Sequence, residues 1–91
     1  MVKYIVKLTS VATPENESFA GETCVYYYGK GGITLGVEGD HAVWNKMPLW
    51  EGGIRLHGYD RLCDAKRNWS YKNPENTKYW KSTAEIMEVE C

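Results

Sequence analysis

From Val2 to Thr9 the chain alternates strictly. Val2, Tyr4, Val6 and Leu8 fall on one side, and Lys3, Ile5, Lys7 and Thr9 on the other. A period of two with one apolar side predicts a half-buried strand. Residues 10–22 break the pattern with Pro14, three Glu and small polar residues, and read as a loop. Thr23 to Tyr28 is β-branched and aromatic, and Ile33, Leu35 and Val37 alternate again after Gly29-Lys30-Gly31-Gly32. Glycines supply the positive φ that a tight turn demands, so residues 23–38 are expected to form a hairpin.

Residues 39–53 carry polar and glycine breakers around Trp44, Met47, Leu49 and Trp50, and Pro48 argues against a regular element there. Ile54 to His57 reads as a further short strand. A helix is expected from near Asp60 to before Pro74. Leu62, Ala65 and Trp69 recur at helical spacing, Tyr59 extends the stripe, Asp60 offers an N-cap, and Asp64 can pair with Arg67. Thr83 to Val89 closes the chain as a strand. Its Glu88 and Glu90, set against Lys3 and Lys7, make the two terminal strands candidates for neighbours. The fold class that follows is α+β: an antiparallel sheet of four to five strands with one helix packed on one face, in a single domain spanning residues 1–91.

Composition sharpens this picture at one point. Four Trp and 7 Tyr stand against a single Phe, so nearly every aromatic ring has a polar tip. Such rings suit positions buried at one end and wet at the other, and recognition surfaces favour them. Tyr26-Tyr27-Tyr28 must split across both faces of its strand, with Tyr26 and Tyr28 sharing one. The segment from Trp44 to Trp50 is either a lid over the open side of the sheet or an exposed contact surface. Trp44, Trp50, Tyr26 and Tyr28 are therefore the candidate residues for binding a protein partner or a second copy of the chain, as a homodimer.

The net charge of −1 gives no global reason to bind an anionic polymer. Residues 54–81, however, hold seven Lys and Arg against three acids, interleaved with Tyr59, Trp69, Tyr71, Tyr79 and Trp80. Cations among aromatic platforms are what single-stranded nucleic acid uses, which makes Arg61, Arg67, Tyr71 and Lys72 the alternative site.

Catalysis and metal binding find little support. Cys63 and His57 are the one tempting nucleophile–base pair, but Cys63 lies next to the predicted helix stripe, where it would act as a small hydrophobe. His41 and His57 are sixteen positions apart and no Cys-x-x-Cys occurs, so no metal site or cofactor is expected. Three widely spaced cysteines, Cys24, Cys63 and Cys91, read as reduced thiols of a cytoplasmic protein. No apolar run reaches the roughly 20 residues of a spanning helix, and Lys3 and Lys7 interrupt any signal-like core.

The stretch from Tyr59 to Glu90 has a cation-bearing helix with a central Ala65, a Tyr79-Trp80 element and an acidic last strand. It resembles short proteins of phage and prophage origin. That resemblance covers about a third of the chain and brings no activity with it; it implies an accessory or host-interaction role. The expected function is thus a small non-enzymatic interaction module.

Overall fold

The computed structural model describes residues 1–40, 46–69 and 78–90. Its elements are β1 (Val2–Ala12), β2 (Thr23–Tyr28), β3 (Thr34–Gly39), α1 (Glu51–His57), α2 (Leu62–Trp69) and β4 (Trp80–Glu90). The four strands form one antiparallel sheet in the order β3-β2-β1-β4. The α+β class and the antiparallel sheet stand as predicted, and the terminal strands are neighbours along their whole length, from Val2 opposite Glu90 to Ala12 opposite Trp80. The 23–38 hairpin is also present, its turn made by Gly31 at φ 70° and Gly32 at φ 76°.

Two helices pack on the sheet, one on each face, where the sequence predicts one on one face. The register shows this. Ile5 and Val6 are successive residues and both are fully buried, so they point to opposite sides of β1. Ile5 meets Leu35 and Ile54 of α1, with Tyr27, Met87 and Val89 around them. Val6 meets Tyr59 and Ala65 of α2, with Tyr4, Tyr28 and Ile86 around them. The first strand is consequently buried on both faces, not half-buried. Even Lys3 is 8% exposed.

The second helix is the segment around Ile54 that reads as a strand. In a strand Ile54 and Leu56 would share a face; in α1 Ile54 is 1% exposed and Leu56 is 70% exposed. One anchoring side chain against Ile5 and Leu35, with Gly58 N–H closing on Ile54 O at 2.8 Å, suffices for this seven-residue helix. A bulge helps: Tyr27 pairs with Gly36 and Tyr28 with Thr34, leaving Leu35 as the extra residue, buried on the α1 face.

Charge placement also differs from the sequence reading. Glu88 and Glu90 lie opposite Tyr4 and Val2, on the α2 face, whereas Lys3 and Lys7 point to the α1 face. Lys7 meets Glu85 at 3.7 Å. Lys3 donates to Asp60, which also accepts from Lys30 at 3.2 Å. With its carboxylate so occupied, Asp60 does not cap α2, which begins two residues later. Its pKa is lowered from 3.8, chiefly by the hydrogen bonds from Lys3 and Lys30. Asp64 pairs with Arg61 at 3.1 Å, the cation three residues before it. No helix among the described residues is long and apolar enough to cross a membrane.

Candidate protein-interaction surface

Of the aromatic residues singled out in the sequence, the described ones, Tyr26, Tyr28 and Trp50, do not form one surface. Tyr26 and Tyr28 lie on the α2 face, half-buried and stacked with centroids 6.1 Å apart at 16°. The Tyr26 hydroxyl bonds to the Cys24 thiol, and this bond, with burial, pushes its pKa up to about 12. Burial likewise raises Tyr28. Tyr27, on the other face, donates to Glu38 at 2.6 Å and titrates at about 12, through burial first and that bond second. The Tyr26 and Tyr27 hydroxyls are thus engaged within the sheet. Trp44 lies outside the described residues.

Trp50 belongs to a strap that wraps the outer edge of β3. Met47 exchanges both backbone bonds with Val37 at 2.9 Å, and Trp50 N–H donates to Leu35 O at 2.7 Å. Met47 packs on the α2 face with Cys24, Val37 and Tyr26, while Trp50 starts α1 on the opposite face. Residues 47–50 therefore cover a sheet edge instead of lidding the open side of the sheet, because their unpaired backbone groups complete β3.

Glycines seat the strap. A Cβ on Gly36 would lie 3.1 Å from Leu49 Cα, and one on Gly53 would overlap the Trp50 indole. The indole thus folds back across the first turn of α1, with the His57 ring 6.0 Å away. It still leaves Trp50 46% exposed, beside exposed Pro48 and Leu49. These residues, with Met47, Glu51 and Gly52, line an open depression. A second notch, of about 260 Å³, is lined by Leu49, Glu51, Ile54, Arg55, Val89 and Glu90. The sequence reading missed Ile54, Arg55 and Val89 as residues of this notch, because it assigned all three to strands.

The alternative site is described only in part. Arg61 and Arg67 are exposed on and just before α2, and Arg61 is held by Asp64. Tyr71 and Lys72 lie outside the described residues. Cys63 is exposed on α2, not buried beside its core stripe; of that stripe Tyr59 and Ala65 are buried and Leu62 is 40% exposed. His57 sits against Trp50 at the end of α1. Among the described residues no three His, Cys, Asp or Glu side chains converge as metal ligands.

No family model, curated protein sequence or solved structure matches the chain.

Proposed function

We propose that the chain is a non-enzymatic interaction module that engages a protein partner through the strap, with Trp50 as the anchor. The observation that carries this reading is the exposure of Pro48, Leu49 and Trp50 in succession, on a backbone fixed to β3 and with the indole laid across Gly53. A large ring already ordered before contact loses little conformational freedom on binding, and a contiguous exposed apolar patch rimmed by polar groups is what protein contacts use. Glu51 and His57 supply such polar neighbours.

The test is Trp50→Ala, measured twice: for folding stability by urea denaturation, and for binding to proteins captured by the wild-type chain. A hot-spot tryptophan loses about 2 kcal/mol or more of binding energy, close to a thirtyfold weaker complex, while the fold persists. Unchanged binding with lowered stability would make Trp50 a structural residue. Light scattering on the chain alone, and with a single-stranded oligonucleotide at low and high salt, separates the other readings. A concentration-dependent dimer lost in Trp50→Ala makes the partner a second copy. An oligonucleotide complex that dissolves with salt transfers the function to Arg61 and Arg67.

A further inference from the structure

β4 ends one side of the sheet, and the direction of its free backbone groups follows from its neighbour. Tyr4 exchanges both of its backbone bonds with Tyr59, at 2.8 Å each way, so it turns away from β4. Thr13 N–H, an odd-numbered group, donates to Tyr79 O at 2.9 Å. In an antiparallel pair the bonded residues alternate, so Lys3, Ile5 and Lys7 bond to Val89, Met87 and Glu85. Ala84, Ile86, Glu88 and Glu90 then direct N–H and C=O off the sheet, and among the described residues no backbone group takes up those bonds. At the other side of the sheet β3 is already paired to Met47 and Trp50. An uncovered edge of this kind is a template for one more strand.

The side chains along this edge select the occupant. Every charged group from Ala84 to Glu90 is acidic: Glu85, Glu88 and Glu90, all exposed. Lys7 approaches Glu85 at 3.7 Å and the N-terminal amine approaches Glu90 at 4.0 Å. A second copy pairing here would bring acid towards acid, whereas a cationic strand is drawn in. Between the acids stand half-buried Ile86, Met87 and Val89, and the notch beside Val89 and Ile54 opens on the α1 face.

We propose that this edge accepts a fifth strand from a partner protein, an extended segment carrying Lys or Arg among aliphatic residues. The proposal rests on the protein-partner reading above but does not use Trp50. Directly opposed residues share a face, so an antiparallel guest wants a cation opposite Glu90, Glu88 and Glu85 and an aliphatic group opposite Val89, Met87 and Ile86. Its order is therefore Lys-Leu-Arg-Val-Val-Lys. The leucine, opposite Val89, faces the notch.

The probe is that hexapeptide, capped at both ends and added to the full chain, with amide hydrogen exchange read residue by residue. The expected result is slowing of the Ile86, Glu88 and Glu90 amides by roughly tenfold or more, with Glu85 and Met87 unchanged because β1 already holds them. Binding should weaken about tenfold in Glu88→Lys, persist in Trp50→Ala, and vanish when alternate peptide nitrogens are methylated. Three results overturn the proposal: no binding, equal binding by the methylated peptide (charge attraction alone), or even-numbered amides already protected in a dimer of the chain itself. Because Trp50→Ala is indifferent here, the strap and the edge fail or stand separately.

Discussion

Asp60 joins three segments that the sequence keeps far apart. Lys3 reaches it from β1, Lys30 from the hairpin turn, and Asp60 itself sits in the link between the helices. The Lys3 side chain is 10% exposed, so its ammonium depends on that carboxylate for charge compensation. Folded Asp60 titrates below 3.8, hence the unfolded chain takes up the proton first. Its contribution is complete above that value and is lost as the pH falls through the lower, folded-state value. Asp60→Asn is expected to lower the urea midpoint at neutral pH and to flatten the loss of stability as the pH falls below about 4. Equal acid sensitivity in the two proteins would assign that limb to other carboxylates. The sequence offers Asp60 as a helix cap, since an aspartate before a helical stripe has that meaning locally; two lysines from distant strands overrule it.

At the scale of the element, α1 is the informative case. Its sequence, Glu-Gly-Gly-Ile-Arg-Leu-His, has low helix propensity and an apolar spacing of two, so local reasoning favours a strand. The helix is held instead by one buried side chain. Ile54→Ala should cost about 2–5 kcal/mol, since the anchor is buried against Ile5 and Leu35. Leu56→Ala should stay within about 0.5 kcal/mol, because that side chain is exposed. Comparable costs at both positions, measured by chemical denaturation, would restore the strand. The hairpin was legible because its signals are local: glycines at the turn and β-branched or aromatic residues on either side. The strap was legible only as a segment of unusual composition, as nothing local says that Met47 will pair with Val37.

For the whole molecule, the consequence of a helix on each face is that β1 serves two cores at once. Successive residues Ile5 and Val6 are both at 0% exposure, one in each cluster. Truncating either to alanine should cost about 2 kcal/mol or more. In a sheet covered on one face only, one of the two would be nearly silent, so the pair of measurements distinguishes the architectures. The chain's own residues determined the strand periodicity, the glycine turn and the antiparallel α+β class, because each depends on local conformation or on simple pattern matching; the terminal strands are neighbours, but not through the charge pairs that suggested it. Tertiary structure alone decided which faces were covered, that Trp50 and the Tyr26–Tyr28 pair would part company, and which acids would face Lys3 and Lys7. Those outcomes turn on register, and a one-residue choice of register sends every side chain of a strand to the other side.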